Sequence, residues 1–375
     1  MRRWICILLA LLLTVPVHAA GPEVSAPSYV LMDAATGTIL LEENAHERLA
    51  PASVTKVMTL LLVMEALDSG AVGWDDAVTA SEQAAAKGGS QVYLEPGETM
   101  TMDEMLKAVV VSSANDCATA LAEHVAGSEA AFVERMNARA AELGMSDTHF
   151  VNCTGLDDGP DAGEHLSSAN DIALMSRALL AHDRIRDYTT IWTDTVRGGS
   201  FGLSNTNKLV RFYKGCTGLK TGYTSSAGHC LSASAERDGM ELIAVVLHCA
   251  SSAERFSSAR ALLDYGFASY ALVSPAPEET PVPIRLGTEE EITPVPGDDT
   301  PVLVEKAKRA AVRQETELLP GITAPVAAGQ PLGALRIYAG DELLSEIPLV
   351  APRAVDRLRF GQIFRKLLDA VCFGA

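Results

Sequence analysis

The chain has 375 residues, 48% apolar and 21% charged, with 30 basic side chains against 48 acidic ones and a net charge of −18. That composition excludes a disordered, collagen-like or coiled-coil chain, and the length points to two domains. So acidic a surface repels phosphate and excludes nucleic acid as the main partner, and 5% aromatics is too few for a base- or sugar-stacking surface.

Met1-Arg2-Arg3-Trp4 opens the chain, an apolar run from Ile5 to Val17 follows, and Val17-His18-Ala19 makes a small-x-small exit. This pattern predicts a secretory signal peptide over residues 1–20, cut after Ala19 or Ala20, and therefore an exported protein. The other reading is an N-terminal anchor, for which the apolar stretch is short. Losing Arg2 and Arg3 takes the charge to −20. No internal run is long enough for a polytopic membrane protein.

Pro51-Ala52-Ser53-Val54-Thr55-Lys56 precedes Val57 to Met64, apolar nearly all round. The segment predicts a buried helix with Pro51 and Ser53 in its first turn. Ser53 and Lys56 then lie at i and i+3 on one face. Burial favours a neutral lysine amine, and a neutral amine can take the serine proton. The helix start adds free N–H groups near Ser53.

Ser113-Ala114-Asn115 ends an apolar run and precedes a predicted helix, Cys117 to Val125. A hydroxyl and an amide suit proton relay and peptide binding. The string SSAND recurs at Ser167–Asp171, so either copy can equally be a helix cap.

Lys220-Thr221-Gly222 lies in Gly218 to Thr224, ahead of strand-like Cys230 to Ala235, an Asp238-Gly239 turn and strand-like Leu242 to Leu247. This predicts an antiparallel meander with Lys220 and Thr221 on an edge strand, placed to hold a carboxylate. Gly222 would let a substrate backbone approach closely.

Five cysteines, Cys117, Cys153, Cys216, Cys230 and Cys249, fall between the ends with no CxxC, so no zinc or thioredoxin-like site is read. Export permits a disulfide, with Cys216–Cys230 and Cys230–Cys249 as the pairs to consider; buried free thiols are the expected state.

The Pro-rich, acidic stretch Ser274 to Pro283 marks a boundary. The predicted organisation is an α/β domain over 21–273, a small β-rich domain over 274–350, and a tail over 351–375. In the tail, Phe360, Ile363, Phe364, Leu367, Leu368 and Val371 follow helical spacing, with Arg357, Gln362, Arg365, Lys366 and Asp369 largely opposite. Such a helix either lies in a membrane interface or packs on its own domain.

Ser-x-x-Lys, Ser-x-Asn and Lys-Thr-Gly in this order form the set of the penicillin-binding proteins and class A β-lactamases. The chain resembles the low-molecular-mass penicillin-binding proteins, in particular the D-alanyl-D-alanine carboxypeptidases. The resemblance covers nearly the whole chain and includes Asp33 to Gly37 and Asn205 to Leu209. It implies the penicillin-binding, β-lactamase-like serine transpeptidase fold: an α/β sandwich with an antiparallel sheet and helices on both faces, plus a β-sandwich second domain and an amphipathic anchor helix. It implies removal of the terminal D-alanine from peptidoglycan stem pentapeptides, with β-lactams as inhibitors, no metal and no other cofactor, on the outer face of the cytoplasmic membrane.

By position, the resemblance makes Ser53 the nucleophile, Lys56 its base, and Ser113 and Asn115 the second catalytic element. Lys220, Thr221, Gly222 and Tyr223 become substrate-binding, with an oxyanion hole at the N–H groups of Ser53 and Tyr223. Arg255 falls near the substrate carboxylate or else in a helix-surface salt bridge. His165 and Asp171 are read as structural. An endopeptidase acting on cross-links is the nearest alternative. A class A β-lactamase is disfavoured because no Glu-x-x-Leu-Asn segment is present. A non-enzymatic wall-binding module is disfavoured by the intact serine and lysine.

Overall fold

The computed structural model describes residues 21–373; the predicted signal peptide, 1–20, lies outside the described residues. Five strands build the main sheet: β1 (Ser28–Asp33), β2 (Ile39–Glu43), β3 (Cys216–Thr224), β4 (Gly228–Arg237) and β5 (Met240–Cys249). All neighbours are antiparallel, in the order β2-β1-β5-β4-β3, so β3 is an edge strand as its sequence predicted.

The central strand β5 is almost continuously apolar because both of its faces are covered. Ile243, Val245 and Leu247 enter one core, while Leu242, Ala244 and Val246 enter the other. Helix α1 (Lys56–Asp68) lies in the first core, with α2 (Asn115–Ala126) and α3 (Ala169–Leu180). Helix α4 (Ser252–Ser269) covers the other face. Every residue of α1 from Lys56 to Leu67 except Glu65 is buried, which its all-round apolar sequence requires.

Beyond α4, the strand Tyr270–Val273 pairs with Val302–Glu305, so the small domain recruits residues ahead of the Pro-rich stretch. Its four-stranded sheet joins Val295–Pro296, Glu342–Val350, Pro331–Ala339 and Val312–Leu318. The tail differs from the predicted boundary at 351. Ala351 and Val355, each 1% exposed, sit in the small domain's core with Ile284 and Val326, and the helix α5 begins only at Phe360 (Phe360–Phe373). An apolar residue in a β-domain core is held by burial, whatever helix follows it.

On α5, Phe360, Phe364, Leu367, Leu368 and Val371 are exposed, Ile363 is half-buried, and Lys366 pairs with Glu290 of the small domain at 2.7 Å. Among the described residues no helix is long and apolar enough to cross a membrane. The cysteines outside 1–20 are free thiols. Strand register explains it for two of them: Cys216 faces Ala235 and Cys230 faces Gly222 across the β3–β4 pair.

Candidate active site

The predicted buried helix is present, but its first turn differs. Ala52–Thr55 is a 3₁₀ turn and α1 proper starts at Lys56. In a 3₁₀ turn residues i and i+3 eclipse, which sets Lys56 directly over Ser53. Lys56 Nζ lies 2.9 Å from Ser53 Oγ and donates to the Thr154 carbonyl at 2.7 Å. Lys56 is 0% exposed, and burial lowers its pKa to about 7, against a weaker upward pull from Cys153 and Asp116. The lysine is thus poised to exchange a proton with the serine at neutral pH.

Two close approaches hold this turn. Ala52, immediately before Ser53, has φ +48°, a conformation a side-chain-bearing residue holds only under tertiary constraint. Gly155, at φ +80°, lies over it, and a Cβ there would fall 1.8 Å from the Ala52 carbonyl oxygen. Asn152 Oδ1 pins this loop by accepting from the N–H groups of Thr154 and Gly155. Gly222 of β3 presses from the other side; a Cβ there would lie 2.7 Å from the Pro51 carbonyl oxygen and 3.1 Å from the Ser53 nitrogen. Sequence reading marked Gly222 but missed the roles of Asn152, Thr154 and Gly155, whose only signal is a turn-forming Asn-x-Thr-Gly string.

The two SSAND copies fold differently. Ser168 is an ordinary N-cap, accepting from the Asp171 N–H at 3.2 Å. Ser113 caps nothing: it has φ +63°, is 4% exposed, and is followed by α2, whose N-cap is Ala114. Asn115 Nδ2 donates to Gly88 O at 2.7 Å, while its buried Oδ1 has no partner. A buried acceptor without a partner is costly unless a ligand supplies the donor.

On β3, Lys220 is 1% exposed and bonds only the Thr221 carbonyl, at 3.1 Å. Burial pushes its pKa well below the ordinary lysine range, and the cations Lys56 and Arg255 push the same way. An anion bound there would relieve that penalty. Thr221 Oγ1 donates to Thr206 Oγ1 at 2.7 Å, which brings in the Asn205–Leu209 stretch. Among the described residues Arg255 forms no surface salt bridge. It reaches inward from α4 and donates to the carbonyls of Gly222 (3.0 Å) and Cys230 (3.4 Å), with its Nε unpartnered. Tyr223 is 60% exposed, its ring stacked on His229 at 4.4 Å.

His165 and Asp171 stay outside this constellation. His165 bonds Thr55 Oγ1 at 2.7 Å, and burial lowers its pKa to about 4, so it is neutral. Asp171 accepts from the Asp147 N–H and the Thr148 hydroxyl. Neither side chain hydrogen-bonds Ser53, Lys56, Ser113, Asn115 or Lys220 among the described residues. A separate cavity of about 630 Å³, lined by Ala34, Arg177, Arg186, Glu236 and Glu241, lies at the other end of β4 and contains none of these groups.

A family model described as D-alanyl-D-alanine carboxypeptidase matches residues 15–251, and one for the penicillin-binding protein 5 C-terminal domain matches residues 270–357. The chain is 40% identical over 350 residues to the D-alanyl-D-alanine carboxypeptidase DacF of Bacillus subtilis, covering 92% of this chain and 89% of that one. Among solved structures, penicillin-binding protein 5 of Haemophilus influenzae superposes with a TM-score of 0.76 at 29% identity, over 90% of this chain and 99% of that one. A Listeria monocytogenes penicillin-binding protein in its ampicillin-bound form superposes with a TM-score of 0.59 at 32% identity, over 65% of this chain and 98% of that one.

Proposed function

Because the chain belongs to the D-alanyl-D-alanine carboxypeptidase family of serine peptidases, we propose that the cleft around Ser53 removes the terminal D-alanine from peptidoglycan stem pentapeptides. The protein is a serine-type carboxypeptidase and a penicillin-binding protein. The single observation that carries the assignment of the cleft is the contact of 2.9 Å between a wholly buried lysine amine and the Ser53 hydroxyl.

The reaction runs as an acyl transfer. Neutral Lys56 takes the Ser53 proton as Oγ attacks the penultimate D-alanine carbonyl. The N–H groups of Ser53 and Tyr223 receive the oxyanion, at the place where Gly222 lets β3 approach the nucleophile turn. Lys220, Thr221 and Arg255 take the terminal carboxylate, and Asn115 Oδ1 receives a substrate N–H. Ser113 passes the proton to the departing D-alanine amine. Water then hydrolyses the ester on Ser53. A penicillin acylates the same serine through its strained amide. Purified protein incubated with a stem pentapeptide tests this reading: free D-alanine is expected, with cross-linked dimer left intact. Cleavage of the cross-link without D-alanine release would make it an endopeptidase instead.

Ser113 is the member of the SSAND pair placed in the reaction. Ser113→Ala is expected to lower D-alanine release on the order of 10²-fold or more. Ser168→Ala is expected to cost about 1 kcal/mol of stability, the loss of an N-cap, with turnover retained. Steady-state kinetics and thermal melting of the two variants separate the roles; equal kinetic losses would refute the assignment.

The protein acts on the outer face of the cytoplasmic membrane. Residues 1–20 direct export, a reading supported by Arg2, Arg3 and the apolar run to Val17. The exposed stripe Phe360, Phe364, Leu367, Leu368 and Val371 supports attachment through α5, with Arg365 meeting anionic lipid. The informative truncation ends at Arg359, because a cut at Pro352 would remove Val355 from the small domain's core. The shortened enzyme is expected to keep its activity and to stop sedimenting with anionic vesicles. Equal sedimentation of both forms would refute the anchor.

A further inference from the structure

The order of groups along β3 gives the bound peptide a direction. The carboxylate-binding side chains, Lys220 and Thr221, precede the oxyanion donor Tyr223 in the strand. A substrate whose C-terminus lies at Thr221 and whose scissile carbonyl lies at Tyr223 runs antiparallel to this edge strand. Its upstream residues therefore continue past Thr224 toward the turn that leads into β4. There the loop following Gly155 meets the turn. Asp157 accepts from Ser226 Oγ at 2.6 Å, and the loop and the turn together close that end of the cleft.

Asp157 is exposed, and among the described residues no lysine or arginine pairs with it. The Ser226 hydroxyl, helped by Thr224, holds its carboxyl below the usual aspartate range, so it is ionised at any pH where the enzyme works. A carboxylate offers about four lone-pair sites, of which the Ser226 hydroxyl uses one. The arrangement therefore presents a fixed, unpaired negative charge beside the residue immediately upstream of the penultimate D-alanine. A diamino acid at that position of a stem peptide would present its side-chain ammonium to this charge.

We propose that Asp157 is a specificity-determining residue that pairs with the side-chain ammonium of the third residue of the stem peptide. This deepens the carboxypeptidase reading and rests on it. The role is recognition upstream of the scissile bond, and it leaves the chemistry at Ser53 to the groups already named.

The test compares two pentapeptides that differ only at the third residue, lysine in one and norleucine in the other. The readout is the ratio of their kcat/KM values. In the wild-type enzyme the lysine peptide is favoured, and in Asp157→Asn the ratio falls on the order of tenfold, through KM. Asparagine can still accept from Ser226, so the loop stays in place while the charge is lost. Asp157→Glu restores the preference in part. A merely structural Asp157 would lower both peptides equally and leave the ratio unmoved, and that result overturns the inference while the carboxypeptidase reading stands. Release of D-alanine from neither peptide by the wild-type enzyme overturns that reading, and this inference with it.

Discussion

Ser53→Ala is expected to abolish covalent labelling by a penicillin and to lower D-alanine release by roughly 10⁴–10⁶-fold. The expectation rests on how specifically the fold prepares this hydroxyl. Ser53 follows a residue at φ +48°, lies under Gly155 and beside Gly222, and among the described residues is the only side chain that Lys56 Nζ contacts by hydrogen bond. Ser113 is the buried serine of the constellation, and Lys56 makes no bond to it. Removing Oγ leaves a void of one atom in a turn held from both sides, so the variant is expected to fold and to melt close to the parent. Intact-mass analysis after incubation with penicillin reads the result. A full-stoichiometry adduct on the alanine variant would overturn the assignment of the nucleophile.

Lys56→Ala carries the second large effect. Loss of a general base costs on the order of 10²–10⁴ in rate, and acylation by both penicillin and pentapeptide should fall by that amount. The pH dependence identifies the group independently. A base must be neutral to accept a proton, and burial lowers Lys56 to about 7. The parent acylation rate should therefore be level above about pH 7 and fall about tenfold per unit below it. The sign is that of a base: protonation removes activity. In Lys56→Ala this limb should vanish, the residual rate becoming flat through neutrality. His165, lowered to about 4, is already neutral there and cannot produce such a limb. Stopped-flow acylation with a chromogenic β-lactam between pH 5.5 and 9 measures both effects. A variant that stayed within a few-fold of the parent, or kept the limb, would show that another group takes the proton.

What the sequence by itself determined is what local spacing controls. An all-round apolar helix with lysine three residues after serine places two side chains on one face whatever surrounds them. The Asp238-Gly239 turn between two apolar runs specifies an antiparallel pair, and both turn residues take the positive φ that such a turn demands. From these, with the order of the three short motifs, the fold class, the family and the pairing of Ser53 with Lys56 were legible. The tertiary structure decided what depends on partners distant in the chain. The two SSAND strings are identical, yet one begins with Asn115 N bonded to Ser90 O and the other with Asn170 N bonded to Ala45 O. Those different partners leave Ser113 uncapped at φ +63° and make Ser168 a cap. Arg255 sits on a helix whose sequence allowed either a surface ion pair or an inward reach; the carbonyls of Gly222 and Cys230 settle it inward. The tail helix begins at Phe360 because Val355 is claimed by a core built 30 and 70 residues earlier, around Val326 and Ile284. The Lys56 pKa, the contact of Gly155 with Ala52 and the bond from Ser226 to Asp157 likewise need residues about 70 to 100 positions apart. Burial and long-range hydrogen bonds are properties of the assembled chain, and no window of sequence short enough to read contains them.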